Sequence, residues 1–400
     1  MKIIIYYEQR GYGGVDTHLA HLVNNWPEKK DEIIIVSNPD NEGLHFLQEL
    51  LKNPRASVKV LQGVFADMRS EPSRIIRAFY RIRSLFVFRR KFRSLLEEYS
   101  PDILLANNGG FPGGLTNFLA ALVGQQNPNT SLNTFFLIHH APIVKQSGFF
   151  NFVAGTLVRK MQGVNIPCIT VSQASKKALE QFTPLNNLKV IYNGIENNTE
   201  QNESYNFKEK WKISKQKVIL GMIGPIVPHK GHATMLEVFR SSLILRQHSR
   251  LVVVGSGNKR FIERLNRIVQ EYALEEQVIF TGFLPGDSCE IIRGFDLLLM
   301  PTSDFEGFGY SMAEAMISEI PVVASRVGAI PEVIVDGESG VLIEPDDIPS
   351  WRYTLESLVD NARDRERIAA AGKERIKTNF SAKAMSVQYY ELLTTSNGIV

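Results

Sequence analysis

Short apolar runs alternate with stretches of helical periodicity along the whole chain. "KIIIYY" (2–7), "EIIIVS" (32–37), "DILLAN" (102–107), "NTFFLIHH" (133–140), "PCITVS" (167–172) and "LKVIYNG" (188–194) read as buried strands. Positions 17–24, 75–98 and 173–181 between them read as helices. Strands alternating with helices predict a parallel sheet covered on both faces. The Asn- and Glu-rich stretch 193–210 then carries few apolar residues and reads as a linker. The pattern restarts after it. Strands are predicted at 217–224, 250–257, 277–283, 296–301, 320–325 and 340–345. Helices are predicted at 231–243, 259–273, 286–293, 309–318, 349–378 and 380–393, with Pro349 at a first helical position. The expected fold is α/β, with two doubly wound domains at 1–195 and 196–379 facing a central cleft. The last helix, 380–395, is expected to return to the first domain.

Length and composition sharpen this only slightly. At 400 residues, 44% hydrophobic and 22% charged, the chain suits two soluble globular domains. Cys168 and Cys289 stand far apart, which argues against a disulfide framework and fits a reducing cytosol. No apolar run is long enough for a signal-peptide core or a membrane span, so a cytoplasmic location is expected.

Candidate chemistry gathers in a few loops. "GYGG" (11–14) joins a strand to a helix, where glycine lets a backbone approach a ligand or simply allows a tight turn. "VVVGSGNKR" (252–260) lacks the third glycine of a dinucleotide fingerprint, so no such site is expected there. In "GMIGPIVPHKGH" (221–232), Lys230 ends a loop at a helix start, either as a diphosphate-binding cation or as a surface lysine. "DFEGFGYSMAEAM" (304–316) sets Glu306 and Glu314 around two helix-breaking glycines. In one continuous helix the two carboxylates would stand roughly 12 Å apart along the axis and could not serve one small group. With the break, Glu306 rides a loop and Glu314 enters the first helical turn, flanking an amide-lined anion cradle suited to a nucleotide sugar. "SMAE" (311–314) is also a capping box, with Ser311 as N-cap, and this alternative stays open.

Residues 303–347 resemble the signature region of the retaining glycosyltransferases of family four, whose fold is GT-B. "VSQASKKAL" (171–179), "VIYNGIE" (190–196), Lys230-Gly231 and "GVDTHLAHLV" after Gly13 match in order, so the resemblance spans nearly the whole chain. It implies two Rossmann-like domains and a UDP- or GDP-sugar donor. It places Glu314 on the ribose hydroxyls and Glu306 on the donor sugar. The amides of Phe308, Gly309 and Tyr310 would hold the diphosphate or sugar, and Lys230 the leaving diphosphate. Gly13 and Gly14 would close over the donor, and His139 would stand near its sugar. The resemblance implies front-face attack with retention, Glu306 binding rather than forming a covalent bond. No metal or other cofactor is expected. One departure is Pro225, where the family usually has an arginine; either Lys230 acts with another cation, Arg260 or His229, or activity is weak or the donor unusual. That gap keeps a non-catalytic nucleotide-sugar-binding subunit in view, and the fold also hosts nucleotide-sugar epimerases.

The acceptor is less legible. Residues 69–93 hold nine Arg and Lys against one acid, with aromatics interleaved. This reads either as an amphipathic surface for an anionic membrane or as a helix with a solvated basic face. The first reading predicts a glycan or lipid-linked acceptor in cell-surface polysaccharide, lipopolysaccharide or glycolipid assembly, peripheral on the inner membrane face. No nucleic-acid module accompanies the charge, so nucleic acid is not an expected partner.

Overall fold

Runs such as Ile3–Ile4–Ile5 and Ile33–Ile34–Ile35 can bury both faces only inside a covered parallel sheet, and they do so here. In a computed structural model, residues 1–9, 13–62, 74–111, 113–127, 132–140, 148–183, 185, 188–197 and 204–395 are described, with the backbone alone at 74–82, 148–154 and 182. The chain divides into two compact units, one of Met1–Gly194 with the stretch from Ala382 onward, the other of Ile195–Ser381.

The first unit holds a seven-stranded parallel sheet. Its strands are β1 (Lys2–Tyr7), β2 (Glu32–Ser37), β3 (Ala56–Val60), β4 (Ile103–Asn108), β5 (Asn133–Ile138), β6 (Cys168–Thr170) and β7 (Leu188–Val190). They lie in the order β3-β2-β1-β4-β5-β6-β7. β3 is a correction, since no strand is predicted over 56–60. It is an edge strand with mostly half-exposed residues, so its apolar signal is weak. The final helix Ala382–Thr395 packs on Gly14–Asn24, where the Ser386 hydroxyl donates to Leu22 O at 3.0 Å.

The second unit holds a six-stranded parallel sheet of β8 (Val218–Ile223), β9 (Ser249–Val254), β10 (Val278–Gly282), β11 (Leu297–Met300), β12 (Val322–Ser325) and β13 (Val341–Ile343). The order is β10-β9-β8-β11-β12-β13. The predicted helix over 349–378 is two helices, Ile348–Asp360 and Ala362–Asn379. Asn361 separates them, its side chain capping the second by accepting from Asp364 N, a role asparagine fills more readily than a helix-interior position. Pro349 lies in the first turn of the earlier helix.

In each sheet the chain winds outward, then returns to the far side of its starting strand. Each unit therefore has one place, β1/β4 or β8/β11, where loops leave the sheet in opposite directions and open a crevice at the strands' carboxyl ends.

Candidate functional site

The β8/β11 crevice collects the chemistry of the second unit. The loop after β8 ends in a short 3₁₀ turn, Pro228–Lys230, and the loop after β11 carries Glu306. Three contacts weld these loops. Ser303 N donates to His229 O at 2.9 Å. Gly231 adopts φ 71° so closely against the other loop that a Cβ would lie 1.9 Å from Pro301 O. Lys230 Nζ then meets Glu306 Oε2 at 2.6 Å, with the two side chains 29% and 15% exposed. A third loop supports Glu306 from behind, since Ala329 N donates to Glu306 O at 2.8 Å. Gly328, at φ 52°, lies against the same backbone, where a Cβ would come 2.3 Å from Glu306 O.

Only glycine satisfies both the left-handed backbone and the close approach at 231. Gly231→Ala is expected to lower unfolding free energy by at least about 2 kcal/mol, from αL strain plus an overlap that must push the two loops apart. Chemical denaturation measures this; a change below roughly 0.5 kcal/mol would show that the loops yield freely.

Glu314 follows a different logic. The helix runs Tyr310–Ile317 with Gly309 as its N-cap at φ 90°, and no side chain caps it. Ser311 is therefore inside the helix, and the capping-box alternative falls. Glu314 is the fifth helical residue rather than a first-turn one, because the αL Gly309, two residues before Ser311, is the N-cap. Its carboxyl is buried, accepts from the Ser288 side chain, and lies near Asp287; desolvation, the dominant cause, pushes its pKa up to about 7. Glu306 and Glu314 thus have separate partners: Lys230 for one, and the start of the helix Ser288–Arg293 for the other. Phe308 is a core residue, its ring 5.4 Å from Tyr310 and 5.9 Å from Phe380, so only its backbone is available to a ligand.

Pro225 sits in an irregular continuation of the β8–β9 ladder. Gly224 N donates to Val254 O at 3.0 Å and Ile226 N to Ser256 O at 2.8 Å, so the ladder skips position 225 and proline's missing donor costs nothing. Arg260, exposed at the start of the helix Lys259–Glu271, follows the stretch paired with this loop. His229 contributes its carbonyl to the loop weld. His232, next to Gly231, is held neutral, its pKa lowered to about 4 chiefly by burial.

Gly13, Gly14 and His139 belong to the first unit, near its own β1/β4 crevice. Gly13 caps the helix Gly14–Asn24, and its N–H donates to Asp16 Oδ2 at 2.9 Å. Desolvation pushes the Asp16 pKa up to about 6. Gly13 has φ −173°, an ordinary extended backbone, and among the described residues an added Cβ would meet Gln9 Nε2 alone, at 3.6 Å. No described residue requires glycine there. Gly11 and Tyr12 lie outside the described residues. His139 Nε2–H donates to Asn107 Oδ1 at 2.7 Å, and its ring stands edge-on to His18 at 4.5 Å. Burial lowers its pKa to about 3, so at neutral pH it is an uncharged hydrogen-bonding group. Sequence reasoning missed Asp16, Asn107, Ser288 and Gly328. Each acts by tertiary placement, and only the Asp16 position three residues after Gly13 carried a local signal.

Among the described residues no cluster of three or more His, Cys, Asp or Glu could hold a metal ion. The paired acids at 346–347 serve locally: Asp347 caps the helix Ile348–Asp360, and Asp346 accepts from Thr234 at 2.7 Å.

The profile described as Glycosyl transferases group 1 matches residues 203–375, and that described as Glycosyltransferase Family 4 matches 12–198. The chain is similar to the capsular polysaccharide biosynthesis glycosyltransferase CapM of Staphylococcus aureus, 22% identical over 84% of this chain and 89% of that one. It is 27% identical to an uncharacterised glycosyltransferase of Methanocaldococcus jannaschii, over 53% of this chain and about half (56%) of the relative's length. In structure it resembles Anabaena HepE in complex with UDP-glucose, with a TM-score of 0.75 at 19% identity over 99% of this chain and 100% of that one. At that identity the likeness is one of fold.

Proposed function

Because the chain belongs to the glycosyltransferases of group 1 and family 4 and has their GT-B fold, we propose that it moves a sugar from a UDP- or GDP-linked donor to an acceptor hydroxyl, with retention at the anomeric carbon. The observation that carries this is the Lys230–Glu306 pair, built by three loops at a topological switch point and backed by the Gly309-capped helix. Lys230 and the amides at Gly309 and Tyr310 suit a diphosphate whose charge grows as the glycosidic bond breaks. Glu306 suits the sugar hydroxyls. The buried Glu314, off to the side of Ser288, suits the ribose. Gly13, which no described residue requires to be glycine, suits close backbone approach to the donor together with Gly14. The neutral His139 suits hydrogen bonding to a sugar hydroxyl rather than proton abstraction. The acceptor hydroxyl attacks from the face the diphosphate leaves, and the departing phosphate oxygen takes its proton. No step in this scheme calls on a metal ion.

Pro225 leaves the diphosphate one cation short of the family pattern, which is the observation favouring a non-catalytic nucleotide-sugar-binding role. Calorimetry against a panel of UDP- and GDP-sugars, followed by product detection with glycan and lipid-linked acceptors, separates the two. Turnover is expected. Donor binding without transfer or hydrolysis across the panel would support the binding role instead.

The acceptor is proposed to be lipid-linked or glycan. The helix Arg74–Tyr99 turns Phe88 and Phe92 inward, stacked 5.2 Å apart and packed on Tyr6. Arg83, Arg89, Arg90 and Arg93 lie exposed with Phe86, which is 69% exposed. Residues 69–73 of the basic stretch lie outside the described residues. Basic side chains around one exposed aromatic fit an anionic membrane surface at the cytoplasmic face. No described helix is long and apolar enough to cross a membrane. Flotation is expected with vesicles containing anionic lipid and not with neutral ones, and replacing the four arginines by glutamine should abolish it. Equal flotation with both vesicle types would sink the proposal.

A further inference from the structure

Lys230 and Glu306 each have work assigned by the donor reading, yet here they are occupied with one another. Their 2.6 Å contact is a charge-assisted hydrogen bond between two partly exposed side chains. Both backbones are pinned. Lys230 N donates to Val227 O at 3.1 Å, Gly231 is wedged under Pro301, and Glu306 is held by Ala329 and Gly328. Only the two side chains are free to change partners. The neighbouring His232 is buried and neutral and offers the carboxylate no second cation.

We infer that donor entry at this site is an ion exchange, in which the diphosphate takes Lys230 Nζ from Glu306 and the released carboxylate then meets the hydroxyls of the transferable sugar. The inference rests on the nucleotide-sugar reading above and adds a specificity role to Glu306. With a sugar present, the carboxylate gives up one partner and gains others. With the nucleoside diphosphate alone, it gives up Lys230 and is left beside a polyanion with no replacement. Glu306 therefore selects against the sugar-free product and favours its release. Its own return to Lys230 completes the cycle.

Titration calorimetry with UDP and GDP, each alone and as the sugar conjugate that binds, tests this on the wild type, Glu306→Gln, Lys230→Met and the double variant. Glu306→Gln is expected to bind the bare nucleotide at least fivefold tighter, and to narrow the affinity ratio between conjugate and bare nucleotide. In the Lys230→Met background the same change should tighten binding much less, because the exchange partner is gone and only the carboxylate's repulsion of the diphosphate is relieved. Glu306→Ala serves as a second variant, since a glutamine oxygen can still accept from Lys230. Unchanged or weaker nucleotide binding in both Glu306 variants, with melting temperatures intact, overturns the exchange. Equal tightening with and without Lys230 overturns it too, showing direct repulsion instead. A wild-type protein that binds no nucleotide fails at the earlier step, the donor reading itself.

Discussion

Lys230→Met is expected to lower kcat by about 10²–10³-fold, the usual consequence of removing one preorganised group that meets developing charge. The leaving diphosphate gains negative charge as the bond to the anomeric carbon breaks. With proline at 225, Lys230 is the cation that the loop after β8 sets at that crevice, against Glu306. The fold should tolerate the change. Both members of the ion pair are partly exposed, at 29% and 15%, and such pairs contribute only about 0–1 kcal/mol to stability. Steady-state kinetics with the preferred donor, alongside a thermal melt, separates the two effects. A folded variant whose kcat stays within a few-fold of wild type would remove Lys230 from the mechanism.

Glu314→Gln is expected to stabilise the protein and impair it at once. The folded carboxyl titrates near 7, against 4.5 ordinarily, because burial disfavours its charge. Between those values the folded state holds a proton that the unfolded chain has released. The stability this group contributes is therefore complete below about pH 4.5 and lost as pH rises through 7. Above that, wild type keeps a desolvated carboxylate at a disadvantage of up to ~3 kcal/mol. Glutamine removes the titration. Its melting temperature should exceed wild type by several degrees at pH 8 and match it at pH 4.5, taking roughly 2–4 °C per kcal/mol. Donor KM should rise at least tenfold, because an amide offers the ribose hydroxyls one neutral acceptor oxygen where a carboxylate offers two charged ones. In wild type, kcat/KM should increase through pH 7 as the carboxylate ionises, and this dependence should vanish in the variant. An equal melting difference at both pH values would contradict the perturbed titration. Unchanged donor affinity would leave Glu314 a structural acid. Stabilisation coupled to lost binding is the pattern of a residue retained for function.

How the two glutamates differ shows where sequence reasoning stops. "DFEGFGYSMAEAM" announces a broken helix start with two carboxylates, and the break is where it was read. Which residue caps the helix was not legible. Gly309 and Ser311 are both acceptable caps locally, and the choice depends on packing around Phe308 and Met300. That two-residue difference moved Glu314 out of the first turn and under Ser288. Likewise, nothing near position 230 in the sequence says that its lysine faces residue 306. Strand order β9-β8-β11 decides that, by laying two loops 76 positions apart against one another.

The sequence by itself determined the α/β class, nearly all the strands and the loops that carry the chemistry, because uninterrupted β-branched runs and helix-breaking glycines are local signals. It missed the half-exposed edge strand β3 and fused two terminal helices, where that signal is weak or an asparagine does the work of a break. Only the tertiary structure decided which charges meet and which are desolvated. Both properties come from loops and helices brought together across a sheet, and a carboxylate's partner and pKa depend on that surrounding rather than on its neighbours in the chain.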